Sequence, residues 1–277
     1  MKTFTEISPM RDWCRARQSE GQTVGIVPTM GALHEGHLSL VRRGKSICDL
    51  CVATIFVNPT QFAPGEDLSR YPRPLDRDLE MLRGEGIDAV FLPTDEIMYP
   101  EGFGTYVTVP PVGMSLEGAS RPEHFRGVTT VVNKFFQIIP ADSAFFGQKD
   151  YQQLRVVEHM VRDLNIATEI VPCDIVREHD GLAMSSRNRY LSDDERKIAL
   201  SLSRSLATAA EMCDSGETRV AMLEQAMRSE LTACTKLDYA VVVDADTLEP
   251  IEVVDCRAVA LVAAHVGTTR LIDNRIL

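Results

Sequence analysis

Two spacings of apolar residues alternate along the first two thirds of the chain. Residues 23–27 and 51–57 are short, almost unbroken runs of β-branched and other apolar side chains, the pattern of strands buried on both faces. Between them Leu38, Val41 and Ile47 recur at helix spacing, and Pro28 and Gly31 mark a turn at the join. The alternation extends in both directions. A helix is expected over 4–20, with Ile7, Met10 and Trp13 on one face, then a helix over 75–83 and a strand over 89–92. A helix over 128–139, a strand over 143–146, a helix from Tyr151, and strand patterns over 167–171 and 174–176 complete the series. Strands that alternate with helices predict an α/β fold, a Rossmann-like doubly wound parallel sheet.

Past about residue 183 the order changes. Ser192-Asp193-Asp194-Glu195 is a capping box that opens a helix to about Cys213, and a second helix spans 218–234. Strand patterns follow over 239–243, 258–263 and 269–272. Two domains are therefore expected, a doubly wound catalytic domain over 1–182 and a smaller α+β domain over 183–277 that closes the cleft. Residues 110–127 are rich in Gly, Pro and polar side chains and carry Arg121, His124 and Arg126. They read as a mobile segment able to cover a site, or as a partner contact.

Composition narrows the function classes. A chain of 277 residues can bury a substantial core, and 44% hydrophobic with 25% charged residues is ordinary for a soluble protein. Lys+Arg 29 against Asp+Glu 40 gives a net charge of −11, which argues against nucleic acid or an anionic membrane as partner. No leader pattern and no apolar run near the roughly 18 residues of a membrane span are visible, so a cytoplasmic location is expected. Seven cysteines, at 14, 48, 51, 173, 213, 234 and 256, are odd in number and scattered, which suits reduced thiols. Cys48-Asp49-Leu50-Cys51 is formally C-x-x-C, yet it lies between a helix end and an entering strand, where core packing is expected.

Four stretches carry candidate chemistry. The turn Met30-Gly31-Ala32-Leu33-His34-Glu35-Gly36-His37 leads a strand into a helix, whose first N–H groups can seat a phosphate or carboxylate. His34 and His37 project to one side there, Gly36 leaves room for a ligand, and imidazoles can donate to phosphoryl oxygens. A zinc site would need i,i+4 spacing and a third ligand, and neither is present. The loop 58–62 should emerge beside this turn and offers Gln61, whose amide both donates and accepts. Gly147-Gln148-Lys149-Asp150 again joins a strand end, a cation and a helix start. Met184-Ser185-Ser186-Arg187 presents hydroxyls and a guanidinium able to grip phosphates, or is a polar linker. Asp76 and Asp78 could help hold a nucleotide-bound Mg²⁺, but a solvated helix face is expected.

His34-Glu35-Gly36-His37 resembles the H-x-G-H signature of nucleotidylyl-transferring enzymes, and Met184-Ser185-Ser186-Arg187 is similar to their K-M-S-K-S loop. Residues 27–37 resemble the pantothenate synthetase (pantoate–β-alanine ligase) family, and the likeness extends over essentially the whole chain. It implies ATP-dependent joining of pantoate to β-alanine through a pantoyl adenylate, with Mg-ATP as substrate and a homodimeric enzyme. It assigns ATP to residues 30–37, to Gly147, Gln148, Lys149 and Asp150, to Val176 at the adenine, and to Met184, Ser185, Ser186 and Arg187. His37, His34 and Lys149 become the catalytic set, Gln61 and Gln153 the pantoate ligands, and Gln61 also a β-alanine ligand. Two residues depart from the family pattern: Thr60 stands where Met is usual, and Gln148 replaces Glu in a G-E-K-D loop. A nucleotidyltransferase acting on a phosphorylated substrate and an ATP-sensing module stay open as alternatives.

Overall fold

The computed structural model describes residues 1–63 and 65–277. They form two compact units, Met1–Gln148 with Gln152–Asp174, and Lys149–Tyr151 with Ile175–Leu277.

The first unit is a six-stranded parallel sheet wrapped by helices. In chain order its elements are β1 (Lys2–Phe4), α1 (Ile7–Ser19), β2 (Val24–Thr29), α2 (Glu35–Ile47), β3 (Leu50–Ile55), α3 (Leu75–Gly84), β4 (Ala89–Phe91), α4 (Asp95–Met98), α5 (Glu117–Ser120), α6 (His124–Ile138), β5 (Ser143–Gly147), α7 (Tyr151–Asp163) and β6 (Glu169–Cys173). The strand order is β1-β4-β3-β2-β5-β6, so the chain builds outward from β2 in one direction and returns to build from β5 in the other. That reversal is the switch point at which open α/β sheets form a ligand crevice. Here β2 pairs with β3 along its full length, but with β5 only at Gly25↔Ser143 and Ile26↔Ala144. The two strands part before their carboxyl ends, which opens the crevice.

Helix α2 can lie close on the sheet because a glycine stands on each side of the contact, Gly25 on β2 and Gly44 on α2 itself. A Cβ on Gly25 would sit 2.9 Å from the Phe145 ring, and one on Gly44 would sit 2.8 Å from Cys51 Sγ. Cys48 and Cys51 are buried in the core between α2 and the strands, and burial pushes the Cys51 thiol up to about 12. The C-x-x-C is thus packing material.

Two expectations are corrected. Residues 167–176 contain one strand, β6, and 174–176 leave the sheet to enter a turn bridged at Arg177↔Ala183. Residues 110–127 are not an open covering segment. Gln152, buried on α7, donates its amide N–H to the Val112 and Ser115 carbonyls at 2.8 Å each, and its Oε1 accepts the Glu117 N–H at 2.9 Å. Val112, Glu117 and Phe125 are buried in this segment. The order comes from a distant amide, which local composition does not display.

The second unit packs α8 (Asp193–Asp214) and α9 (Val220–Glu230) on an antiparallel meander of β7 (Lys236–Asp244), β8 (Ala258–Val266) and β9 (Thr269–Ile276). Leu202, Leu206, Leu223, Met227 and Val262 are fully buried in its core. The expected capping box forms: Glu195 N–H donates to Ser192 Oγ at 3.3 Å, and Ser192 N–H donates to the Glu195 carboxylate at 2.9 Å. Among the described residues no helix is long and apolar enough to cross a membrane.

Candidate active site

The carboxyl end of β2 turns through two residues of positive φ, Gly31 (80°) and Ala32 (51°). Such a turn is strained for an L residue and must be held from outside. The holder is Asp78 of α3, only 1% exposed: its two carboxylate oxygens accept the N–H groups of Ala32 at 2.7 Å and Leu33 at 2.8 Å. This corrects the expectation of a solvated Asp78 and takes two of the N–H groups anticipated for a ligand. A signal was present in the sequence, because Asp78 stands four residues before Leu82 on the face of α3 that is buried.

The turn delivers His34 as the N-cap of α2 in extended conformation and His37 one turn into the helix. The ring centroids are 4.1 Å apart, and the His34 N–H donates to Nδ1 of His37 at 3.4 Å. A neutral His37 that accepts at Nδ1 carries its proton on Nε2, so that edge is a donor. Both rings are half-buried at the positive end of the α2 dipole, where an anion is favoured. Glu35 is exposed and pairs with Arg42, which also grips Glu85 at 2.5 Å, so its side chain serves the helix surface.

The loop after β3 is a polar network. Tyr99 O–H donates to Asn58 Oδ1 at 2.6 Å, which fixes the Asn58 amide so that Nδ2 donates to Gln61 Oε1 at 3.1 Å. Gln61 Nε2 then donates to Met30 Sδ at 3.0 Å. Gln61 is buried, with one N–H and one lone pair of its amide left over by these contacts. The hydroxyl of Thr60 donates to Asn58 Oδ1 at 2.9 Å and lies 3.2 Å from Tyr99 Oη, so it joins this network instead of lining an apolar wall.

β2, β3 and β5 are parallel, so the histidine turn, Gln61 and Gly147 share one edge of the sheet. Gln153 is half-buried on α7, next to the structural Gln152. A cavity of about 430 Å³ reaches Met30, Gly31 and Asp78 among apolar residues such as Ile55, Phe56 and Leu92, and is lined by neither histidine nor Gln61.

Gln148 ends the first segment of the first unit, and the remaining candidates lie in the second unit, whose boundary runs through the Gly147–Asp150 loop. Asn274 Nδ2 donates to the Lys149 carbonyl at 2.9 Å, and Tyr151 O–H donates to the Ala245 carbonyl at 2.9 Å, while Lys149 Nζ is 3.6 Å from Asp150 Oδ1. The Met184 N–H donates to the Val176 carbonyl at 2.9 Å, so these two residues face each other across a short hairpin. Ser185 caps the 3₁₀ turn Ser186–Tyr190 through its own Oγ, which accepts the Arg187 N–H at 3.3 Å. Arg177 anchors the hairpin by a bidentate pair to buried Asp273, at 2.7 and 3.0 Å.

A family model described as pantoate-β-alanine ligase matches residues 2–276. A pantothenate synthetase of Rhodopirellula baltica is 60% identical over 278 residues, covering 99% of this chain and 98% of its own. One of Moorella thermoacetica is 51% identical over 279 residues, covering 100% and 99%. Among solved structures, a Thermus thermophilus pantothenate synthetase superposes with a TM-score of 0.94 at 44% identity, with 99% of both chains covered. A Francisella tularensis pantoate-β-alanine ligase complexed with β,γ ATP and β-alanine gives 0.78 at 33% identity, covering 100% of this chain and 97% of its own.

Proposed function

The chain belongs to the pantoate–β-alanine ligase family, and from that premise we propose how its own residues carry out the ATP-dependent condensation of (R)-pantoate with β-alanine. The pantoate carboxylate attacks the α-phosphorus of ATP in line, forming the acyl–phosphate bond and expelling pyrophosphate. The β-alanine amine then attacks the acyl carbonyl. A C–N bond forms, the C–O bond to phosphate breaks, one proton leaves the nitrogen, and pantothenate and AMP are released. Adenylation is needed because a carboxylate would have to expel oxide, whereas AMP is a stable leaving group.

No protein nucleophile takes part, so the work is alignment and charge stabilisation. The observation that carries the reading is the close, mutually tilted imidazole pair at the N-terminus of α2, with His37 Nε2–H as donor. His37 and His34 offset charge on the transferring phosphoryl group, and Lys149 acts with them on the triphosphate. Residues 30–37 and Gly147–Asp150 seat ATP, Val176 and Met184 flank the adenine, and Ser185, Ser186 and Arg187 grip the departing pyrophosphate. Gln61 and Gln153 orient pantoate, and Gln61 also meets β-alanine.

Mg²⁺ belongs to this scheme as part of the substrate. Among the described residues no group of three His, Cys, Asp or Glu is arranged for a metal, and both Asp78 oxygens already accept N–H groups. The donor set therefore suits an ion that arrives on the triphosphate, held by phosphate oxygens and water, where it neutralises charge. All seven cysteines are free thiols, as a cytoplasmic enzyme would have, and we place it there as a homodimer, with 1–182 and 183–277 as its domains.

Isotope exchange between pyrophosphate and ATP tests the scheme. It should require pantoate and proceed without β-alanine, while net AMP release should begin only when β-alanine is added. Exchange that is indifferent to pantoate would end the assignment.

A further inference from the structure

Arg121 and His124 have no part in the chemistry above, yet both converge on one of its residues. Arg121 spans the Glu66 carboxylate, Nε and Nη2 each donating at 2.7 Å. Nη2 also donates to the Gln61 carbonyl at 3.2 Å, and Nη1 donates to Nε2 of His124 at 3.2 Å. Because Nε2 accepts, the neutral His124 ring carries its proton on Nδ1, which donates to the same Gln61 carbonyl at 2.9 Å. Burial, reinforced by Arg121, pushes His124 down to about 4, so the ring is uncharged at neutral pH. The carbonyl of Gln61 thus receives two donors, which is all that its lone pairs admit.

The loop is pinned from a second direction. A Cβ on Gly127 would lie 2.3 Å from the Thr60 carbonyl oxygen, so α6 meets the loop backbone to backbone. Asn58 Nδ2 donates to the Gly127 carbonyl at 3.1 Å as well as to the Gln61 side chain. The turn Pro59–Gln61 is only three residues long and cannot hold a buried amide in one orientation through its own backbone bonds.

We propose that Arg121 and His124 are positioning residues that clamp the main chain of Gln61, so that its amide meets pantoate in a single orientation. This rests on the assignment of Gln61 to pantoate. The clamp sets a substrate-binding angle, which makes its signature a pantoate effect separate from ATP. Displacements of about 1 Å at such a group are enough to cost about 100-fold in rate.

The test measures KM for pantoate and for ATP, with the other substrates saturating, in wild type, His124→Phe, His124→Asn, Gln61→Ala and the double variant Gln61→Ala/His124→Phe. His124→Phe should raise the pantoate KM about tenfold and leave the ATP KM within about twofold. His124→Asn, whose amide N–H can stand where Nδ1–H stood, should stay within about threefold of wild type. On the Gln61→Ala background, His124→Phe should add less than about twofold, because both substitutions act through one group. A full tenfold increment in the double variant, or equal rises for ATP and pantoate, overturns the clamp. If His124→Phe fails to fold, Arg121→Lys, which keeps the charge but loses the fork, takes its place with the same expectations. A raised pantoate KM in Gln61→Ala beside an unchanged one in His124→Phe removes the clamp alone. An unchanged KM in Gln61→Ala removes the Gln61 assignment and the clamp with it.

Discussion

The turn after β2 and the loop after β5 are built to the same plan, a strand end, a glycine and a helix start, but they are held differently. The histidine turn is fixed from behind by a buried carboxylate on Ala32 and Leu33, and a Cβ on Gly31 would press on both Asp78 and Ile55. The Gly147–Asp150 loop has open space within 4 Å of any Cβ at Gly147, is anchored by the Lys149 carbonyl, and leaves the Lys149 side chain 21% exposed. The difference suits the roles proposed for the two segments: imidazoles that serve the phosphoryl group undergoing transfer would gain most from preorganisation, whereas groups on the β- and γ-phosphates would have to close on ATP and release pyrophosphate.

Three tests break or sharpen this contrast. His37→Ala should lower kcat about 100- to 1,000-fold, the loss typical for one preorganised donor, with an unchanged urea midpoint. A small loss would place the rigid turn outside the chemistry. Asp78→Ala leaves two buried N–H groups without their acceptor and should destabilise the protein by about 3 kcal/mol in urea unfolding, with Asp78→Asn recovering part of that. An Asp78→Ala protein as stable as wild type would mean that the turn holds its positive-φ residues unaided. The smallest effect compares one change in two places. Gly31→Ala should cost about 2 kcal/mol, because φ is 80° and the new Cβ would lie 3.0 Å from Asp78 Oδ2 and Ile55 Cγ2. Gly147→Ala should cost under about 0.5 kcal/mol in the same measurement. Equal costs would erase the distinction between the two turns.

Much of the architecture was legible along the chain, because burial on both faces of parallel strands and on one face of helices leaves periodic traces. The runs at 51–57 and 143–146 became β3 and β5, and Ser192 with Glu195 marked the start of α8 to the residue. The paired imidazoles, Gln61, Lys149 and the Ser185-Ser186-Arg187 strip were visible as residue types beside strand ends. Asp78, Arg121 and His124 were misread as solvated or mobile, since the groups that make them useful lie 45 to 63 residues away.

The sequence by itself determined the alternation of strand and helix, and with it the sheet edge at which the histidine turn, Gln61 and Gly147 must emerge. Tertiary structure alone decided which of the polar residues hold the others: Asp78 beneath the histidine turn, Arg121 and His124 on the carbonyl of Gln61, Thr60 in the Asn58 network. The reason is physical. Burial periodicity is a local property of each element, whereas a buried carboxylate, guanidinium or carbonyl is satisfied only by a partner that folding brings to it.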